Sequence, residues 1–397
     1  MLRKVLIGLV IAFILVIGAG AYLYHKIAPS IRAAEARTEA QKKMLVPRVI
    51  TGGEDFGRQP FYTGNGLGTI WQILVGWPAD RQGADIAVVG NQGTDFVDAT
   101  GQVKKQVRLA IEQRAPIEVA RLDRTGDYGY LTRDESWAVP VTLFDKEGHV
   151  LWRSGDRLPG VDDSVSGDFQ GDGELSIAVG LNGSGGLVLL NGQGKQVWKK
   201  AETNVWQVEA LDTNGDGHYE IVHSNARGQL LVRNGNGDIL AHYLPDFYVS
   251  NFALTSWAGE TQATHILVPV SEVHEGCCKS KIVILDAHGD RVTELDNPLG
   301  GLFTRFSATP VRFSAGAEYY AVLEDNSPDE RSMLVLYAQD GQIAYQEILG
   351  ESCLGMTAYS TKNTERLLVG CEDKIWEYSP LPRTNAGSRK NRTDGNH

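Results

Sequence analysis

"LVLLNGQGKQVWKK", residues 187–200, joins two apolar β-type runs through a tight Asn/Gly turn, and the second run ends on an aromatic. Such a pattern forms a hairpin. The same arrangement recurs as "FVDATGQVKKQVRL", "VTLFDKEGHVLWR", "LLVRNGNGDILAHY", "IVILDAHGDRVTEL" and "LVLYAQDGQIAYQEI". The turn glycines are Gly101, Gly148, Gly194, Gly237, Gly289 and Gly341, spaced by 47, 46, 43, 52 and 52 residues. A period in the forties, built of short strands and glycine turns, predicts propeller blades of four strands each. Solenoids with shorter repeats do not fit, and no long amphipathic helix interrupts the series. The expected fold class is all-β: a β-propeller of seven four-stranded blades.

Six blades carry the turn glycine. The seventh reads "SCLGMTAYS" (352–360), "RLLVG" (366–370) and "KIWEYSP" (374–380), three strands with no fourth. An open sheet edge invites aggregation, so the ring must close. "PRVITG", residues 47–52, is the expected closing strand. If Tyr359 faces about Glu365, Cys353 and Cys371 lie directly opposite, with Cα atoms roughly 4.5 Å apart at a non-hydrogen-bonded pair. A disulfide between them is then expected; the alternative is two buried thiols. A one-residue slip would turn the two side chains to opposite faces.

Two other stretches carry metal-ligand chemistry. In "LDTNGDGHYEIVHS", Asp212, Asn214 and Asp216 alternate, and the His218 carbonyl and Glu220 can complete an oxygen shell of the kind calcium takes. An EF-hand needs a carboxylate at its twelfth position, which here is His223. In "GDFQGDGELSIAVG", Asp168, Gln170 and Asp172 take the same places, Glu174 the carbonyl place, and Ser176 replaces Glu220. Weaker binding is expected there. A third, decayed copy keeps Asp123, Thr125 and Asp127, with Leu131 at the last ligand place. The plainer reading of each is an Asp/Asn/Gly turn.

These two motifs resemble the FG-GAP/VCBS repeats of integrin α-chain propellers and of many bacterial surface proteins. That family's loop has acidic or amide residues at its first, third, fifth and ninth places. Asp212, Asn214, Asp216 and Glu220 match all four; Asp168, Gln170 and Asp172 match three. "GADIAVVG" (83–90) is a weaker echo, and the resemblance extends over most of residues 60–378. It implies a propeller with structural Ca2+. The "DKEGHVLW" and "NGQGKQVW" turns also look like quinoprotein-type propeller repeats, which imply the same fold.

Residues 5–24, "VLIGLVIAFILVIGAGAYLY", form an uncharged apolar run of roughly 30 Å as a helix, one bilayer core. "AGA" at 19–21 offers a signal-peptidase site, but the run continues through Tyr24, which favours an uncleaved anchor. The expected organisation is a transmembrane signal anchor (1–24), a helical stalk (25–45), the propeller (46–379) and a disordered polar tail (380–397). Arg3 and Lys4 place the N-terminus in the cytoplasm; basic residues on the other flank argue the reverse but bear weakly on a long translocated domain. The propeller is thus expected on the extracytoplasmic, periplasmic side. A net charge of −11 argues against nucleic acid as a partner.

The sequence holds no H-E-x-x-H motif, nucleophile elbow or P-loop. "GNGLG" (64–68) lacks a strand–turn–helix setting. His274, Cys277 and Cys278 read as an exposed loop before they read as metal ligands. Long second-to-third-strand connections, at 133–137, 272–280 and 324–331, are the expected partner face. The reading is a module that binds a protein or a glycan. The alternative is a propeller enzyme, a quinoprotein-like dehydrogenase or a polysaccharide lyase.

Overall fold

In the computed structural model, described residues run from 22 to 381, excepting 23, 27, 30, 33–34, 37–38, 41, 65, 77–84, 112–115, 123–126, 134–140, 155–159, 256–263, 273–279, 298–304, 314–317, 327–330 and 361–364. The chain divides into Met1–Val46 and Pro47–His397. In the first unit the described residues from 22 to 44 are helical. Among the described residues no helix is long and apolar enough to cross a membrane. The 5–24 run lies almost wholly outside them, as do most of the 123 loop, the tail and the three long connections.

The second unit is a ring of seven blades. Strands β1 (Arg48–Thr51) and β2 (Phe56–Thr63) precede them. Blade one is β3 (Ile70–Val75), β4 (Ile86–Gly90), β5 (Gly93–Val97) and β6 (Val103–Arg108). Blade two is β7 (Ile117–Arg121), β8 (Tyr128–Thr132), β9 (Thr142–Asp145) and β10 (Val150–Arg153). Blade three is β11 (Val161–Gly167), β12 (Ser176–Leu181), β13 (Gly186–Asn191) and β14 (Gln196–Lys200). Blade four is β15 (Val205–Leu211), β16 (Glu220–Asn225), β17 (Leu230–Arg233) and β18 (Ile239–Tyr243). Blade five has β19 (Phe247–Tyr248) and β20 (Ala253–Thr255) end to end along β21 (His265–Glu272), then β22 (Ser280–Asp286) and β23 (Arg291–Asp296). Blade six is β24 (Arg305–Arg312), β25 (Glu318–Asn326), β26 (Arg331–Ala338) and β27 (Ile343–Ile348). Blade seven is β28 (Gly355–Ser360), β29 (Glu365–Gly370) and β30 (Lys374–Pro380).

Every blade is antiparallel, and most of the first strands touch their neighbours around a common axis. Second and third strands are covered on both faces by adjacent blades. They therefore read as unbroken apolar runs, as in "IAVVG" of β4 and "SIAVGL" of β12, buried throughout. Fourth strands are largely exposed, as in β6 and β10, except β27, which β1 covers.

The repeated turn glycine and the aromatic after it belong to one brace. Trp152 Nε1 of blade two donates to the Gly192 carbonyl in the turn of blade three, at 2.8 Å. Trp198 donates to the Gly235 carbonyl of blade four, and the Tyr243 hydroxyl to the Ala287 carbonyl of blade five. The turn glycines lie beneath these rings. A Cβ on Gly194 would stand 2.6 Å from Trp152, and one on Gly289 2.3 Å from Tyr243; both residues also have positive φ.

A second belt runs around the axis. Gln72 of β3 accepts the Val119 N–H of β7. Glu118 accepts the Ser166 N–H and hydroxyl, Asp163 the Val208 N–H, and Gln207 the Phe252 N–H. Each first strand from blade one to blade four thus grips the backbone of the next blade.

Closure departs from expectation. β1 does not complete blade seven; it pairs with β27 as a fifth strand of blade six. Blade seven is completed by β2, which pairs with β30 from Phe56↔Pro380 to Thr63↔Lys374. The reason is in the side chains: all four residues of β1 are exposed, whereas β2 buries Phe56 and Tyr62. The turn after β29 locks the join. Asp373 Oδ1 accepts the N–H groups of Leu67 and Gly68, and the Cys371 carbonyl accepts Ile70 N–H.

The register of β28 and β29 also differs by one. Tyr359 pairs with Arg366 and Ser360 with Glu365, because the connection takes four residues rather than five. Cys353 and Cys371 are nevertheless joined in a disulfide. They lie beyond the last ladder pair, Gly355↔Gly370, where strand alternation no longer governs direction.

Candidate functional site

Around the axis the first strands enclose a cavity of about 500 Å3. All first strands begin on the face that carries the second-to-third connections, so the residues at their starts form the mouth on that face. Three of these starts are built alike. The ladder between β3 and β4 skips Trp71, that between β11 and β12 skips Asp162, and that between β15 and β16 skips Trp206. Each is a β-bulge, a device that re-aims a side chain, and all three residues line the cavity.

Trp71 and Trp206 occupy the same place in "TIWQILVG" and "NVWQVEAL", each one residue before the glutamine that grips the next blade. Both rings are half-buried. The Arg305 guanidinium lies over the Trp71 ring, 4.6 Å from its centroid. Trp71 Nε1 donates to Asn91 Oδ1. Trp206 packs against Tyr248, ring centroids 6.1 Å apart.

Below the mouth the lining turns acidic. Arg133 pairs with Asp163 at 2.6 Å. Burial pushes the Glu118 carboxyl up to about 8; the bonds from Ser166 oppose the rise, and the charges of Glu209 and Asp163 add to it. Burial pushes Glu209 up to about 7, with the Asp163 charge adding. Near neutral pH the cavity therefore holds carboxyls that donate hydrogen bonds as acids or receive a cation once ionised.

A carboxyl whose pKa is raised by folding holds its proton in the folded state after the unfolded chain has lost it. Its stabilisation is complete below the unfolded pKa near 4.5 and declines as pH rises toward about 8. Glu118→Gln keeps an acceptor for Ser166 and removes the titration. Melting curves at a series of pH values should fall less steeply between pH 5 and 8 for the variant. An unchanged slope would mean that Glu118 titrates normally.

The loops singled out for calcium lie elsewhere. They are first-to-second connections of blades three and four, on the face opposite the mouth. The donors are hard oxygens of the right kind. In the 212 loop they turn back on the backbone: Asp212 Oδ1 and Oδ2 accept the N–H groups of Gly215 and Gly217, Asn214 accepts from Asp216, and Asp216 from His218. Glu220 is buried beneath the loop and accepts from the Thr213 N–H and hydroxyl. In the 168 loop Asp168 accepts from Gly173 and Asp172 from Glu174, while Gln170 and Glu174 are exposed. Among the described residues no three His, Cys, Asp or Glu side chains converge on one centre. His223 is buried and accepts from Arg233.

No protein-family model and no curated protein matches this chain. Solved structures do. BBS1N in complex with ARL6DN, from crystals soaked with mercury and with lead, superposes with TM-scores of 0.53 and 0.51 at 12% identity. The match covers 85% and 84% of this chain and 98% of that one. The Neurospora crassa Pan2 WD40 domain matches with a TM-score of 0.49 at 10% identity, over 85% of this chain and 98% of that one. At such identity the likeness to BBS1N is one of fold, and it agrees with the propeller drawn by the strand pairing.

The mouth was missed in the sequence. The signal that could have found it is the repeated Trp-Gln pair, set at the start of a first strand in blades one and four.

Proposed function

We propose that this chain is a protein-binding propeller whose contact surface is the channel mouth. The observation that carries this is the trio of bulges that turns Trp71, Asp162 and Trp206 toward one opening, beside Arg305. Trp, Tyr and Arg are the residues that dominate binding energy at interfaces, and here a rigid ring holds them in place. The complex of BBS1N with ARL6DN provides a precedent for a partner-binding propeller, by analogy of fold.

The fuller reading has residues 5–24 anchor the propeller on the extracytoplasmic side of a membrane. An apolar run of bilayer length and a disulfide, which needs an oxidising compartment, support it. Affinity capture from native membranes with the wild type, and with Trp71→Ala/Trp206→Ala, tests the contact surface. Proteins recovered by the wild type should be lost from a double variant with an unaltered melting curve. Undiminished recovery would move the contact surface off the mouth.

Calcium bracing of the 212 loop belongs to the same reading. Each carboxylate oxygen of Asp212 accepts one N–H and keeps a second lone pair for a cation. Added calcium should raise the melting temperature of the wild type and leave Asp212→Ala/Asp216→Ala unmoved. A wild-type curve indifferent to both calcium and chelator would make the loop a plain turn.

A further inference from the structure

We propose that the mouth seats a basic side chain, lysine or arginine, of a protein partner between Trp206 and Asp162. This rests on the binding reading above and names the chemistry of the occupant.

The internal repeat carries the inference. Trp71 and Trp206 are equivalent in sequence, in bulge and in blade position. Trp71 already carries a cation, the Arg305 guanidinium. Over Trp206 no cation lies among the described residues; Tyr248 flanks the ring instead. One of two like platforms is thus filled by the chain itself, and the other faces the cavity.

Charge selects the ligand for the second platform. Asp162 stands at the matching bulge of the adjacent blade. Asn182 donates to it, an arrangement that fixes the carboxylate and leaves acceptor capacity. Deeper in, Glu118 and Glu209 line the same cavity as carboxyls that ionise when a cation approaches, while Arg133 is matched by Asp163. A cation over the Trp206 ring gains from the indole face and from the carboxylate that lines the same cavity, whereas a neutral group gains only the stacking. The net charge of −11 draws basic partners toward the ring. A side chain on a docked protein suits the site better than a free ion, because aromatic walls reward a long aliphatic stem as well as its charged end.

The test uses the full-length chain labelled with fluorotryptophan and observed by fluorine NMR. The Trp206 resonance is assigned through Trp206→Phe. The probes are acetyl-arginine amide, acetyl-lysine amide and the neutral isostere acetyl-citrulline amide. The arginine and lysine probes should shift the Trp206 resonance, and citrulline should bind roughly three- to thirtyfold more weakly. Asp162→Asn should weaken the arginine response by a similar factor, with the melting curve of the free protein unchanged. Arg305→Gln should add a second responding resonance, that of Trp71.

A Trp206 resonance unmoved by arginine, a citrulline response equal to it, or an Asp162→Asn variant that binds as the wild type does, each overturns the proposal. Partner capture lost in Trp206→Ala together with a silent arginine titration keeps the mouth as a binding surface and removes the basic side chain from it. An arginine response with capture intact leaves the cation site standing and overturns the mouth as the partner surface.

Discussion

A chain that lacks residues 47–63 should lose its single cooperative melting transition. β2 is the fourth strand of blade seven although it comes from the other end of the propeller sequence. Without it β30 presents an open edge, and the ring has a gap between blades seven and one. Two cores lose an aromatic: Phe56 packs with Phe313 and Tyr345, and Tyr62 is buried with Ile70, Ile73 and Ile375. Deleting one buried aromatic costs about 3–5 kcal/mol. Tyr62 also donates to buried Asp95 at 2.7 Å, and Arg58 pairs with Glu347. Two aromatics and these polar groups together approach the whole stability of an ordinary domain, about 5–15 kcal/mol. Deletion of 47–52 alone should be mild, because β1 is exposed throughout. Near-UV circular dichroism on heating separates the two. A peptide of residues 53–64 added in trans should restore part of the transition to the longer deletion. Equal melting temperatures for both deletions would mean that blade seven does not depend on β2.

Much of this fold is legible in the sequence because each blade repeats the same physical problem. A turn must tuck beneath the neighbouring blade's outer strand, so glycine recurs at Gly194 and Gly289, and an aromatic recurs at Trp152 and Tyr243. Both strands of the interior must be apolar on each face, so runs such as Ile282–Leu285 recur. Closure follows no such rule. Both β1 and β2 have β-type residues, and what separates them is which one finds a core to enter. The exposed Val49 and Ile50 carry as much apolar character in sequence as Phe56 and Tyr62. The mouth was hidden for a related reason. A bulge is a feature of pairing, so the repeated Trp-Gln pair hints at Trp71 and Trp206 in the sequence, but their convergence with Asp162 emerges only once β4, β12 and β16 are laid beside them. Asp212, Asn214 and Asp216 are conspicuous in sequence, and in the structure the same alternation serves the loop's own N–H groups.

The other large effect is expected at Cys353 and Cys371. Their bond closes a loop with a sequence separation of 18. Chain entropy alone assigns such a crosslink about 3 kcal/mol. Position raises its importance, because Cys371 opens the turn whose Asp373 holds Leu67 and Gly68 at the entry to blade one. On the other side, the Cys353 N–H donates to the Ser332 hydroxyl, which itself donates to Asp325. The bond therefore ties blade six, blade seven and the ring join together. Cys353→Ser/Cys371→Ser should fold but melt several degrees lower, with faster unfolding in denaturant. Both cysteines are fully buried, so a dithiol should leave the native bond intact and cleave it only as denaturant unfolds the ring. Reduction and loss of near-UV signal should then follow one time course. Mass spectrometry of a non-reduced digest from native membranes should find the two peptides linked. Free thiols there would remove the crosslink from the working protein and, with it, the support it lends to an extracytoplasmic propeller.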